Sequence, residues 1–443
     1  AHAAAPTAVS AMMSAAMTKV ALYVLVRLLF DLAGPVQPGW WCVPLLLMGV
    51  AGAVLGAIRA ATESDIKQVL ACSTVEHIGF IAIGLSLALA ARAADLAPLA
   101  AFAFAGALLH ALMHAGFKSL LFLGAGNAIE ATGTRRLDRL GGLIRPMPVT
   151  TLCVIIGALS LAALPPSAGF ASEWTLLQAL LAAPRLGTLW VQALYAVALA
   201  LMALAAALAA AAAVRLVGVG FLGRPRAQAA NGEAPLLARA APIGLATLLS
   251  LLGLFPGLAL RLAAPAASRL LGADPAARAD AAGITPAAGA PGYVPLVVLL
   301  LLLLGTFLGL FLARRRAPPG ARRADAWDGG FGAAPPWQSF GDPATQYGAL
   351  SFAEPLQRSL GSFLLRAREA VEPAAPGDPA PARYRASAAD PAETWLFAPL
   401  GRARGWISAR IDRFHRLTIR RTLTAVVATL LLLLALIALQ AQP

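Results

Sequence analysis

Charge is scarce in this chain. Asp, Glu, Lys and Arg make up 13% of its 443 residues, about half the share found in a soluble domain. With 59% of residues hydrophobic, the chain cannot cover a water-exposed surface, which excludes a soluble enzyme and leaves an integral membrane protein. Cysteine is nearly absent: Cys42, Cys72 and Cys153 lie far apart, with no CxxC, haem or iron–sulfur spacing. No cofactor is expected, and any redox centre the protein works with belongs on another chain. Acids are few, 21 against 35 basic residues, for a net charge of +14. In a soluble protein that balance would suggest nucleic acid. Here the basic residues sit between apolar runs, where positive-inside sorting accounts for them, and no nucleic-acid partner is expected. There is neither an initiator Met nor a signal peptide, and the chain opens AHAAAPTAVSAMMSAAM, so the natural start is expected upstream.

Long apolar runs dominate instead. Spans are predicted at about 7–30, 42–60, 69–91, 97–129, 148–181, 189–217, 238–261, 293–313 and 422–440, each long enough to cross a bilayer. Interruption by Pro and Gly argues for helices rather than a barrel, so the expected fold is an all-α polytopic membrane protein. Alternate loops hold Arg59 and Lys67, then Arg135, Arg136, Arg139 and Arg145, then Arg215, Arg224, Arg226 and Arg239, then Arg314 to Arg316. This richer set is assigned to the cytoplasm. Heavy use of Ala, Arg and Leu suggests a GC-rich bacterial genome, hence a bacterial cytoplasmic (inner) membrane. Residues 314–421 break the pattern. RRRAPPGARRADAWDGGFGAAPPW reads as irregular, and PLQRSLGSFLLRAREAV places Leu356, Leu360, Phe363, Leu364 and Val371 on an apolar stripe. WLFAPLGRARGWISARIDRFHRLTIRR is basic and amphipathic, suited to a membrane surface. The expected division is a core over 1–262, an outer loop and further span over 263–313, a cytoplasmic Pro/Gly-rich and amphipathic segment over 314–421, and a final transmembrane helix over 422–443.

A few ionisable residues lie inside the apolar runs. His110, His114 and Lys118 recur every four residues in AAFAFAGALLHALMHAGFKSLLFLGAG, which stacks them on one helix face. One ionised group at mid-membrane costs at least about 2.5–3.5 kcal/mol, so three on a stripe need a use or partners. Imidazole titrates near ambient pH, which suits a proton relay. His at i and i+4 can also clasp zinc, but no acid or thiol shares the stripe and Lys118 repels a cation, so no metal is expected. Lys19 has about a dozen residues on either side within its span, and a buried lysine can take and release protons. Pro165 and Pro166 remove two backbone donors and must break their helix. Such breaks recur where membrane helices line transport sites. Glu173 follows the break as a candidate proton-carrying acid. Glu63, Asp65 and Lys67 sit at a helix start, where acids suit the dipole; Glu76 and His77 lie deeper, as a possible proton entry. The plainer alternatives stay open: a snorkelling Lys19, satisfied core histidines, and an ion-paired Glu173.

Four stretches, AHAAAPTAVSAMMSAAMTKVALYVLVR, ATESDIKQVLACSTVEHIGF, HALMHAGFKSLLFLGAGN and ALPPSAGFASEWTLL, resemble the antiporter-like membrane subunits of complex I, Mrp-type cation/proton antiporters and membrane-bound hydrogenases. The resemblance covers roughly residues 1–260. It implies inverted five-helix repeats, each with a broken helix, and an upstream repeat with its own glutamate and lysine. It matches Lys19 to a central-axis lysine, His110, His114 and Lys118 to the hydrophilic axis that follows, and Glu173 to the terminal broken-helix residue. Some members carry His where this chain has Ser14, and others Lys where it has Glu173. The tail AWDGGFGAAPPWQSFGDPATQYGALSFAEPLQR resembles the large antiporter-like subunits of hydrogenase-4 and formate hydrogenlyase. The implied function is proton translocation coupled to redox chemistry on partners: other membrane subunits, and peripheral iron–sulfur, hydrogenase or dehydrogenase subunits. A redox-free cation/proton antiporter and a structural membrane scaffold are the alternatives.

Overall fold

The computed structural model describes residues 2–35, 37–223, 225–226, 232–277, 279–285, 292–316, 347–360, 368–373, 383–387, 397–415 and 418–440. The first span is composite: α1 (Thr7–Met12), a π-helical turn at Met13–Met17, α2 (Thr18–Val26) and a second π-helical turn at Arg27–Leu32. It is followed by α3 (Cys42–Thr62), α4 (Ile66–Ala93), α5 (Ala97–Thr132), α6 (Pro148–Leu161) and α7 (Ala168–Leu181). Then come α8 (Leu189–Gly220), α9 (Leu236–Leu254), α10 (Pro256–Leu271) and α11 (Pro295–Arg316). The tail holds α12 (Ala349–Leu360), an antiparallel pair β1 (Arg368–Glu372) and β2 (Arg383–Ser387), α13 (Ala398–His415) and α14 (Ile419–Gln440). Two compact units divide at Glu354 and Pro355.

Among the described residues of the first unit, seven helical stretches are long and apolar enough to cross a membrane, and apart from the β1–β2 pair of the tail the chain is an α-helical polytopic membrane protein. The most buried are α4 and α5, with 89% and 78% of their apolar windows inside the protein, against 22% for the first span and none for α11. The ionisable stripe therefore lies on one of the two central helices. Capping sets their ends. Asp65 accepts from Lys67 N (2.8 Å) and Gln68 N (3.2 Å) at the start of α4 and pairs with Arg135 at 2.7 Å. Gly133 closes α5 at φ 67, a backbone region that glycine enters without penalty.

Small residues bring α3 against α4. A Cβ on Gly79 would stand 2.5 Å from both Ala53 N and Gly49 O, and one on Gly56 would stand 2.5 Å from Glu76 N. This is the close backbone approach that small-xxx-small seams permit in lipid. It fixes the height and rotation of α4, and with them Glu76 and His77.

The run expected as one span over 148–181 is two short helices. Between them lie Ala162 to Ser167, with Ala163 at φ 46 and a cis Pro165–Pro166 bond. Ser167 Oγ accepts from Phe170 N at 3.2 Å to start α7. A Cβ on Gly169 would collide with Ser160 O at 1.8 Å, so only glycine lets α7 fold back this closely on α6.

Three expectations need correction. The span predicted over 238–261 ends at Leu254, because Phe255 leaves the helix (φ −125, ψ 58) and Pro256 opens α10; α10 then runs past 262. The apolar stripe of the tail does not continue as one helix. Its Val371 lies in β1, and its Phe363 and Leu364 lie outside the described residues. The first unit also extends beyond 314, since residues 347–350 are tied to the core. Asp138 Oδ1 accepts from Ala349 N (2.8 Å) and Leu350 N (3.2 Å), Arg226 donates to Tyr347 O (2.9 Å), and buried Arg215 donates to Ala60 O (3.0 Å) and Ala349 O (3.3 Å).

Candidate functional site

Four-residue spacing on α5 puts His110, His114 and Lys118 on one face, and all three are 0% exposed. The partners of that face come from other helices. His77 of α4, also fully buried, sits between the two α5 histidines, with ring centroids 5.2 Å from His110 and 5.3 Å from His114. Its Nδ1 lies 3.1 Å from His110 Nε2. Because α7 restarts just before Glu173, that carboxyl enters the same cluster: it is 2% exposed, with Oε1 3.7 Å from His77 Nδ1 and without a hydrogen bond.

Ser172 orders the protons here. Its hydroxyl donates to Gly169 O (2.9 Å) and so presents lone pairs to His110 Nδ1, 2.9 Å away. His110 therefore carries its proton on Nδ1 and leaves Nε2 to accept from His77 Nδ1, a tautomer assigned from the bonding network.

Lys19 approaches from the first span. It is half-buried, donates to Ser14 O (3.0 Å) and Thr18 Oγ1 (3.3 Å), and bonds His114 Nδ1. Ser14 belongs to the π-helical turn and holds Thr74 of α4 at 2.7 Å. Such turns widen the backbone and recur at functional sites. A cavity of about 650 Å³ reaches Lys19; its other charged lining residues are Arg27, Asp31 and Arg269.

The structure thus brings Lys19, His114, His77, His110 and Glu173 together, and sets Lys118 apart. Lys118 donates to Leu70 O (3.2 Å) and to Ser73 Oγ, near the start of α4. Glu76 is 0% exposed and neither of its oxygens has a hydrogen-bond partner; the fields of Lys118 and Glu173 reach it. Sequence reasoning missed Ser172 and Ser73. Ser73 precedes His77 by four residues, so the α4 period could have found it. Nothing in the sequence marks Ser172 except its place beside Glu173.

A buried carboxyl without partners weakens a fold by about 1–3 kcal/mol. Glu76→Met is therefore expected to raise thermal stability in detergent by a comparable amount. A lower melting temperature in the variant would show that Glu76 serves packing.

A bundle with a broken helix and a buried cluster of titratable groups from four elements defines a class: polytopic membrane proteins with ionisable side chains held in their interior. The chain is similar to the antiporter-like membrane subunits: residues 1–203 match the family described as NADH:quinone oxidoreductase/Mrp antiporter, transmembrane. It is 38% identical over 440 residues to an uncharacterised protein of Mycobacterium tuberculosis, covering 96% of this chain and 66% of that one. It is 32% identical over 379 residues to hydrogenase-4 component B of Escherichia coli, covering 84% of this chain and 55% of that one. It therefore spans between half and two thirds of the length of these relatives. The fold resembles a chain of the membrane-bound sulfane sulfur reductase, an archaeal respiratory membrane complex, at a TM-score of 0.64 and 21% identity, covering 96% of this chain and 62% of that one.

Proposed function

We propose that the chain moves protons across a bacterial cytoplasmic membrane as a subunit of a redox-driven complex of hydrogenase-4 or formate hydrogenlyase type, or of a related NADH-quinone oxidoreductase. The observation that carries this reading is the meeting of Lys19, His114, His77 and Glu173, from four elements, at the centre of the bundle. Similarity to a hydrogenase-4 component supports the type of complex. Partners are other membrane subunits and, through the complex, peripheral iron–sulfur, hydrogenase or dehydrogenase subunits. The region over 1–262 carries the relay, and the amphipathic tail braces the complex along the membrane surface.

Protons pass between Lys19 and His114, across the His77–His110 pair, and on to Glu173. Glu76 and Lys118 form a cytoplasmic branch. A charge change at one end, imposed by redox chemistry on a partner, shifts occupancy along the line by like-charge coupling. Moving one charge against 100 mV requires about 2.3 kcal/mol, which coupling between close neighbours can supply.

The test is Lys19→Met in the intact complex reconstituted in vesicles. Redox turnover is expected to persist while proton translocation per turnover falls to the leak level; unimpaired pumping would end the reading. The family also includes Mrp antiporters, which gives a second reading. A sodium-dependent pH gradient in vesicles lacking redox subunits would favour it.

A further inference from the structure

Along α5 alone, a cation would find His110 and His114 and no acid nearer than Glu130, sixteen residues beyond His114. Packing supplies a different set. His77 from α4, His110 from α5 and Glu173 from α7 each bring one nitrogen or carboxylate oxygen within 4.8 Å of the other two. We propose that these three side chains form a buried binding site for a divalent transition-metal ion of the zinc type.

The spacing suits such an ion. His77 Nδ1 lies 3.1 Å from His110 Nε2 and 3.7 Å from Glu173 Oε1. A tetrahedral ion with bonds of about 2.0–2.1 Å holds its ligand atoms roughly 3.4 Å apart, between those two separations. Two imidazoles and a carboxylate suit zinc and leave a fourth position for water. Calcium and magnesium require mostly oxygen ligands and are disfavoured.

The surroundings supply what ligating histidines need. His110 donates through Nδ1 to Ser172 Oγ, the outer contact that fixes a ligand's tautomer and leaves Nε2 free for a metal. Glu173 Oε1 is buried without a hydrogen bond, and so is His77 Nε2. Binding at His77 Nδ1 therefore moves that proton to Nε2 or releases it, and a protonated Glu173 releases its own, so metal uptake displaces protons.

Lys118 does not stand in the way. It lies two turns from His110, about 12 Å along the helix axis, and its ammonium is held by Leu70 O and Ser73 Oγ. The Glu76 carboxyl lies within its field.

A metal at this point occupies the lone pairs that proton transfer needs. Only that consequence rests on the proton reading; the binding does not.

The experiment uses the tag-free protein in its native complex, treated with chelator and titrated with Co²⁺, then with Zn²⁺ as competitor. One Co²⁺ per chain with the strong visible absorption of a tetrahedral site is expected. His77→Gln should abolish it. Ser172→Ala, which keeps all three ligands, should weaken binding about 10- to 100-fold. No stoichiometric uptake, an octahedral spectrum, or uptake unchanged in His77→Gln overturns the site. Zinc X-ray absorption on the unaltered protein needs no variant: two imidazoles support the site, and fewer overturn it. Binding without loss of proton translocation leaves the site standing and removes the proton reading. Absent binding, with translocation still lost in Lys19→Met, does the reverse.

Discussion

Glu173→Gln is expected to lower proton translocation about 10²-fold or more, the scale on which a positioned proton carrier contributes, while the protein still folds and assembles. Gln keeps the size and an oxygen facing His77, but it cannot bind and release a proton. The reason to expect so large an effect with so small a structural cost is how loosely the carboxyl is held. Glu173 is 2% exposed, yet its Oε1 has no hydrogen bond and stands 3.7 Å from the imidazole it faces. A carboxylate kept for structure would be bonded on both oxygens, because an unmet one opposes folding by about 1–3 kcal/mol. Melting temperature in detergent should therefore stay level or rise. The decisive measurement is proton uptake per electron pair in inverted vesicles beside redox turnover in the same sample. Wild-type stoichiometry in the variant would remove Glu173 from the path. A large fall in melting temperature would reassign it to structure.

Much of this site could be read in the sequence, and the unread part has a common cause. The stripe was legible because a four-residue period inside an apolar run has one helical meaning, and His110, His114 and Lys118 do share the buried face of α5. The break was legible because two consecutive prolines cannot continue a helix, and Ala162 to Ser167 lie outside α6 and α7. Contacts between helices were not legible. Read alone, the stripe grouped Lys118 with the two histidines, whereas His77 of α4 gathers His110, His114 and Glu173, and Lys118 turns to Ser73. Which helices meet is decided by close approaches such as Gly79 on Ala53, and a hydropathy run does not report them. The same blindness carried the predicted 238–261 span across Phe255, since LLGLFPGLAL stays apolar through a change of direction. In the tail, the alternation that suited an amphipathic helix lies partly in the β1–β2 pair.

His77→Gln is the second substitution expected to stop translocation, and its value is greatest in combination. His77 lies 5.2 and 5.3 Å, centroid to centroid, from His110 and His114, and 3.7 Å from Glu173. On the proposed path, protons arriving at His114 from Lys19 reach Glu173 through this imidazole. Glutamine retains a donor for His110 Nε2 and fills much of the same space, so the helices should still pack, but it offers no titratable nitrogen. Alone, the variant should lose as much translocation as Glu173→Gln, about 10²-fold or about 2.7 kcal/mol. If both residues serve one path, the double variant should be no worse than either single one, because removing two members of a unit costs little more than removing the first. The interaction energy from the cycle then equals nearly the whole single-site effect. Independent contributions would give multiplying losses, about 10⁴-fold together, and would refute a junction at His77. Lys118→Met is the matching control for the branch. Its ammonium bonds Leu70 O and Ser73, off the Lys19–His114–His77–Glu173 line. Its loss should slow delivery from the cytoplasmic end and multiply with His77→Gln only if Lys118 contributes independently of His77.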